Sequence, residues 1–459
     1  MTRSLKVAVI GAGVAGLVVA RELQRESLQV VVFEKSHQLG GTWAYDARVE
    51  SDLLGIDPNR DVVHSSLYKS LKTNLPRELM SFTDFKFDEK VYGGPGMYTG
   101  HEEVLKFLND FARHFELIEL IRFNTLVTRV EVVDLDITEF VVESNTNGVN
   151  YVEMFDAVVV CTGRNTQPRL ATDIPGIKTW PRKQMHSHNY RVPEPFRDQI
   201  VVVIGNGPSA VDISREIAMV AKEVHMSSRS PLVKVAKSDK FNNMWQHSKR
   251  SRSSSAQQIG IRASGSKRGN RKASQGIRDQ INCVSEDGWV TFQDGFSIDA
   301  DIILHCTGYK FHLPFLRTNG IVSVEDKRIG PLYKHVFPPR LAPGLSFVGI
   351  LERTFPFIIM ECQSRWIAHA LSAKVSLPSE DEMLSEVLKY YEEMKEKGLP
   401  EHSTHQLGFQ LDYIDWMWAQ TGMVMEKNIR NMIEYWIYCL MTAGIDGYMD
   451  LFSQKYGIY

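Results

Sequence analysis

Residues 7–16 read VAVIGAGVAG, and residues 201–210 write nearly the same phrase again as VVVIGNGPSA. Each is a short apolar run rich in β-branched residues, the composition of a buried parallel strand. Glycines follow it and let the chain turn sharply into a helix whose free N–H groups form an anion site. In the first copy Gly11 serves the turn, Gly13 lets a pyrophosphate approach the backbone, and Gly16 permits close packing of helix on strand. Residues 28–33 (LQVVVF) form a second apolar strand that ends at Glu34. A carboxylate about 20 residues past the glycines is placed to accept a ribose hydroxyl.

The second copy differs where it matters. Gly205 and Gly207 keep the first two roles, Ala210 takes the third, and Ser209 joins them in the expected site. The strand that follows, within KEVHMSSRS, ends at Ser228 and Arg229 with no acidic residue. A cation there accommodates the 2′-phosphate of NADP and removes the acid that would repel it. The first unit is therefore expected to hold FAD and the second NADPH.

The chain has 459 residues, a formal net charge of -2 and 43% hydrophobic residues, which fits two or three soluble globular domains. Near-neutral charge gives no general attraction to nucleic acid or anionic membrane. The five cysteines, Cys161, Cys283, Cys306, Cys362 and Cys439, are spread singly without a C-x-x-C pair. That argues for a reducing, cytoplasmic setting and against a zinc site or redox dithiol; no metal site is expected. The opening MTRSLK has no apolar leader, and the apolar stretch 437–445 is too short to span a bilayer.

Further along, a helix is expected over 101–115, strands over 126–133 and 138–143, and a buried strand over 155–161 closed by Thr162-Gly163. The Pro-punctuated connector PRLATDIPGI (168–177) marks a junction before the second unit, whose last strand, 300–305, closes in the parallel ending Cys306-Thr307-Gly308. The expected architecture is α/β: two nested Rossmann-like dinucleotide-binding domains with parallel sheets, the NADPH domain inserted into the FAD domain. The limits are 1–170 for the first part of the FAD domain, 171–303 for the NADPH domain, and 304–459 for the second part with C-terminal helices. Residues 248–278 are rich in Ser, Gly, Lys and Arg with no acid, a composition that cannot offset ordering entropy and reads as a mobile basic insertion. Without interleaved aromatics it is not read as a nucleic-acid site.

Taken together, EKSHQLGGTW (34–43), SLYKSLKTNLPRELMSF (66–82), HSHNYR (186–191), HCTGYKFHLPFL (305–316) and PLYKHVFPPRLAPGLSFVG (331–349) resemble the flavin-containing monooxygenases, in particular their plant S-oxygenating branch of glucosinolate and S-alkenyl-cysteine oxygenases. The resemblance implies that Glu34, Gly40 and Gly41 hold the FAD adenosine and pyrophosphate, and that Trp43 packs near the flavin. It implies further that Asn74 sits beside flavin and nicotinamide as the catalytic-site residue, and that Gln363 approaches the isoalloxazine. The implied reaction consumes NADPH and O₂ and transfers one oxygen atom from a flavin hydroperoxide to a small-molecule thioether sulfur. The cofactor then carries the chemistry and no acid/base triad is needed. The family's linker motif departs from pattern here, with Trp180 first and Arg182 in place of glycine; a glycine there for positive φ would make Arg182 strained.

His186 and His188 read as loop anchors rather than catalysts, and Tyr435, Trp436 and Tyr438 as core aromatics. Competing readings are an N-hydroxylating or Baeyer-Villiger-type monooxygenase on the same scaffold, and a non-enzymic nucleotide-binding protein. The sequence leaves monomer or homodimer open.

Overall fold

The computed structural model describes residues 4–93, 96–134, 139–229, 242–248 and 280–457. The basic insertion expected at 248–278 lies, except for Ser248, outside the described residues.

The two quoted phrases nucleate two five-stranded parallel sheets. In the first, neighbours run Leu345–Phe347, Ala157–Val160, Lys6–Ile10, Gln29–Phe33, Ile121–Arg122. In the second they run Met244–Ser248, Glu223–Ser228, Ile200–Ile204, Ile302–His305, Lys183–His186. The register repeats as well: Ile10 lies between Phe33 and Val160, and Ile204 between Ser227 and His305. Strand Leu345–Phe347 joins the first sheet after the whole second sheet has been laid down, so the units are nested. The passage between them is itself paired: Gln167–Pro168 runs antiparallel to Tyr309–Lys310.

Strand periodicity decides the layers. Val7 and Val9 face a helical core with Leu17, Phe107, Ile358 and Trp366, while Ala8 and Ile10 face a second core with Phe140, Val142 and Phe347. The same division recurs where Val201 and Val203 meet Ile213 and Ile217 on helix Pro208–Ala218. Val202 and Ile204 on the opposite face meet Val284, Val290 and Phe292 of a small antiparallel sheet. Each unit is thus helix layer, parallel sheet, antiparallel sheet.

The strand expected over 155–161 is broken. Val149–Phe155 closes an antiparallel sheet, and the parallel strand begins only at Ala157. Asp156 makes the switch: its carboxylate accepts from the Lys6 N–H at 2.6 Å while its own N–H donates to the Lys6 carbonyl.

Helix Val14–Arg25 is clamped to helix Pro356–Leu371 by a buried ion network. Arg21, 1% exposed, donates to Glu361 at 2.7 Å, to Glu22 at 2.9 Å and to Asp84 at 2.7 Å. Glu361 also accepts from the Thr83 N–H and hydroxyl. Helix Lys427–Tyr456 closes the fold and bends at Gly444, whose φ of 66° leaves the helical region. Of the expected aromatic core there, Trp436 is buried, whereas Tyr438 is exposed and stacks on Tyr435 at the surface. No described helix is long and apolar enough to cross a membrane.

Candidate cofactor and oxygen-transfer site

Both glycine turns are built alike. Gly11 has φ +104° and a Cβ there would lie 2.7 Å from the Cys161 carbonyl oxygen; Gly205 has φ +136° and a Cβ would lie 2.3 Å from that of Cys306. Only glycine tolerates either the dihedral or the approach. The two Cys-Thr-Gly endings are therefore the walls against which the two turns close. The N–H of Gly11 donates to Phe33 and that of Gly205 to Ser227, each tying the turn to the neighbouring strand.

The third position separates the copies. A Cβ on Gly16 would fall 1.8 Å from the Gly11 oxygen, whereas Ala210 is accommodated fully buried. Helices Val14–Arg25 and Pro208–Ala218 then start at Gly13 and Gly207 with no side-chain cap and no acid in the first turn. Their N–H groups stay available to an anion. Around Gly207 nothing lies within 4 Å of a Cβ position. Around Gly13 the wall is a second glycine loop: a Cβ on Gly41 would sit 3.0 Å from the Gly13 Cα, and Gly40, at φ +113°, opens the turn that carries Trp43. Glycine backbone, uncapped helix start and absent acid together fit a pyrophosphate at each turn.

Glu34 is buried at the end of its strand. One carboxylate oxygen accepts from the Ala12 N–H and the other from the Ser36 N–H, both at 2.8 Å. Each oxygen keeps a lone pair for a ribose hydroxyl. The adjacent Lys35 was not foreseen. Its side chain is accessible, and surrounding protein pulls the ammonium pKa below its ordinary value against the opposing pull of Glu34 and Glu50.

In the second unit Ser209 is exposed on the first helical turn, and Ser228 is buried at the strand end. Arg229 projects into solvent beyond it and meets Asp173 at 3.0 Å. An exposed pair of this kind is weak, so the guanidinium is held loosely and can be given up to a phosphate.

Asn74 has an exposed side chain on a tightly strapped backbone. Thr73 donates through its N–H to Thr99 at 2.8 Å, and Thr99 returns a bond to the Thr73 hydroxyl at 3.1 Å. The Arg77 N–H donates to Met97 at 2.9 Å, and the Tyr448 hydroxyl donates to the Asn74 carbonyl at 3.0 Å. Upstream, Tyr68 donates to Asp212 of helix Pro208–Ala218 at 3.3 Å, and Ser70 donates to Glu216 of the same helix. Segment 66–74 therefore runs from the second nucleotide helix to Asn74. Gln363 is 1% exposed, and its amide donates to Tyr413 at 2.9 Å between two helices.

The linker motif is structural. His188 bonds the Val63 carbonyl at 2.8 Å and lies 3.4 Å from the buried Glu50; His186 bonds the Gly308 carbonyl at 2.9 Å. Arg191 donates to the carbonyls of Asp46, Ser65 and His188. Arg182 is not strained: it is absent from the residues with positive φ. Its guanidinium lies over Gly288, donating to the Ala300 carbonyl at 2.8 Å and pairing with Asp299 at 2.5 Å. A Cβ on Gly288 would fall 2.5 Å from that guanidinium, so glycine there leaves it room. Among the described residues no cluster of His, Cys, Asp or Glu has the makings of a metal site.

With this geometry in hand, the likenesses are specific. The family model described as FMO-like, flavin-binding monooxygenase-like, matches residues 4–255 and 273–433. The chain is 49% identical over 426 residues to Flavin-containing monooxygenase FMO GS-OX5 of Arabidopsis thaliana, covering 91% of this chain and 85% of that protein. Among solved structures it is similar to S-allyl-L-cysteine S-oxygenase from Allium sativum, with a TM-score of 0.86, 44% identity, and coverage of 99% of this chain and 98% of the other. Tmm from Pelagibacter sp. strain HTCC7211 matches with a TM-score of 0.76 and 25% identity over 97% of this chain and 92% of its own.

Proposed function

This chain belongs to the flavin-binding monooxygenase-like family, and from that premise we propose that it is an NADPH- and O₂-dependent S-oxygenase of small thioethers. The substrates are S-alk(en)yl-cysteine derivatives or methylthioalkyl glucosinolates, and the enzyme works in the cytoplasm. Its cofactors are FAD and NADPH. When bound, flavin reduced by NADPH activates O₂ and supplies the oxygen atom that is transferred.

The chain's own residues bind, orient and shield. In this reading residues 1–170 and 304–459 carry FAD and 171–303 carry NADPH. Gly11, Gly13, Gly16, Gly40 and Gly41 cradle the first pyrophosphate, Glu34 holds the ribose, and Trp43 covers the flavin. Gly205, Gly207, Ser209 and Ala210 receive the second pyrophosphate, while Ser228 and Arg229 read the 2′-phosphate. Asn74 presents its amide to flavin and nicotinamide from its strapped backbone. The observation that carries the reading is the duplicated turn with unlike strand ends: a buried carboxylate at Glu34 and an exposed, loosely paired cation at Arg229.

The substrate class follows from chemistry and from the garlic relative. A thioether sulfur is neutral and polarizable at pH 7, whereas an aliphatic amine must first lose a proton, at a cost set by its pKa. Mass spectrometry of products from a panel of thioethers and amines, run beside NADPH consumption, tests this. Mono-sulfoxides with the larger kcat/KM are expected. Coupled turnover that favours amines over every thioether would replace S-oxygenation with N-oxygenation.

A further inference from the structure

Asn74 is fixed to three places, and one of them lies 374 positions away in the chain. Thr73 and Arg77 bond the nearby segment 97–99. The Asn74 carbonyl instead accepts from Tyr448, in the last helix. Tyr448 is 5% exposed, its ring edge-on to Trp436 at 5.3 Å, and it follows the bend at Gly444 by four residues. That bend redirects the final turns of the helix. Before the bend the helix is open to solvent at Met441, 80% exposed, and Tyr438, 55% exposed. A buried tyrosine hydroxyl requires some partner, but an arbitrary carbonyl would satisfy it. Here it takes the carbonyl of Asn74, a residue whose side chain is exposed beside the buried Thr73 and Leu75.

We propose that Tyr448 is a positioning residue for oxygen transfer: its hydroxyl fixes the Asn74 carbonyl, and so the C-terminal helix sets the aim of the Asn74 amide. The inference rests on the assignment of Asn74 made above. Loss of the bond leaves the peptide free to rotate about its remaining straps. Turnover then delivers both NADPH electrons and two protons to O₂ as H₂O₂ in place of one oxygen atom to sulfur and one to water.

The test uses the full-length holoenzyme and four variants: Tyr448→Phe, which removes only the hydroxyl; Phe452→Leu, which loosens the same helix one turn on without touching Asn74; Asn74→Ser; and the Tyr448→Phe/Asn74→Ser double variant. Two readouts are taken, H₂O₂ formed per NADPH and backbone hydrogen exchange of peptides covering 72–80. Tyr448→Phe is expected to keep FAD, to raise H₂O₂ per sulfoxide severalfold, and to speed exchange of 72–80 about fivefold, the factor for one neutral hydrogen bond. Phe452→Leu should do neither, and the double variant should be no less coupled than Asn74→Ser. Wild-type exchange and coupling in Tyr448→Phe, equal effects in Phe452→Leu, or a Tyr448→Phe protein unable to hold FAD overturns the inference. Wild-type coupling in Asn74→Ser overturns instead the assignment of Asn74.

Discussion

Gly16→Ala adds one methyl group, and the structure says where it goes. The new Cβ would lie 1.8 Å from the Gly11 oxygen and 2.9 Å from its carbonyl carbon, where ordinary contact begins at 3.4 Å. Both atoms are backbone of the turn, so no side chain can swing aside. The helix cannot back away either. Its Ala15 already packs near Gly349, and its Arg21 is pinned to Glu361 at 2.7 Å. Overpacking of this kind costs about 1–3 kcal/mol, and a clash with fixed backbone belongs at the upper end. Alanine returns roughly 1 kcal/mol of helix propensity, which leaves a net loss of about 2 kcal/mol together with a displaced Gly11–Gly13 backbone. In a chain of 459 residues thermal unfolding should shift down by about 2 °C, and visible absorbance should show sub-stoichiometric FAD in the purified protein. Ala210→Gly is the matched control at the corresponding place in the second turn, expected to lose about 1 kcal/mol of propensity while NADPH still binds. A Gly16→Ala protein with full FAD and wild-type Tm would refute the argument that the first turn needs glycine for close packing.

Arg229→Ala is expected to weaken NADPH binding by about 1.5–3 kcal/mol, the scale of a hydrogen bond to a charged group, and to leave NADH binding unchanged; equal losses in titrations with both would show that Arg229 does not read the phosphate. Glu361→Gln leaves the buried Arg21 guanidinium short of one counter-charge. Removing a partner from such a network costs about 3–5 kcal/mol, and because Glu22 and Asp84 remain, chemical denaturation should report the lower end, while an unchanged midpoint would contradict the clamp. Acid should unfold the protein early. Burial pushes His186 down to about 3 and His305 and His405 down to about 4. Below the unfolded value near 6.5 the unfolded chain binds protons that the native one refuses, so the native state loses up to about 1.4 kcal/mol per histidine per pH unit between pH 6.5 and about 4 and nothing above. A stability curve flat from pH 7 to 4.5 would exclude that linkage.

What the chain disclosed in advance was whatever local chemistry dictates. Gly11 and Gly205 announce turns because only glycine takes their dihedrals, and the apolar runs at 7–10 and 201–204 announce parallel strands because both faces are covered. The matching Cys-Thr-Gly endings were visible as a repetition, although only the structure reveals that their carbonyls close the glycine turns. Elsewhere the deciding partner is remote. Nothing near residue 182 says that Gly288 will offer its guanidinium a bare surface, and nothing near residue 74 points to Tyr448. Nor does ECQSRW say that the Gln363 amide will donate to Tyr413 on another helix. Asp156 split an apolar run that reads as one strand, because a carboxylate can take the place of a ladder partner.

The paired strands Gln167–Pro168 and Tyr309–Lys310 put the entrance and exit of the inserted unit next to each other. The host sheet resumes when Leu345–Phe347 pairs with Ala157–Val160. The chain thus leaves and re-enters the first unit through one doorway, while Tyr68 to Asp212, His188 to Val63 and Arg191 to Ser65 act as separate stays that hold the inserted unit against its host.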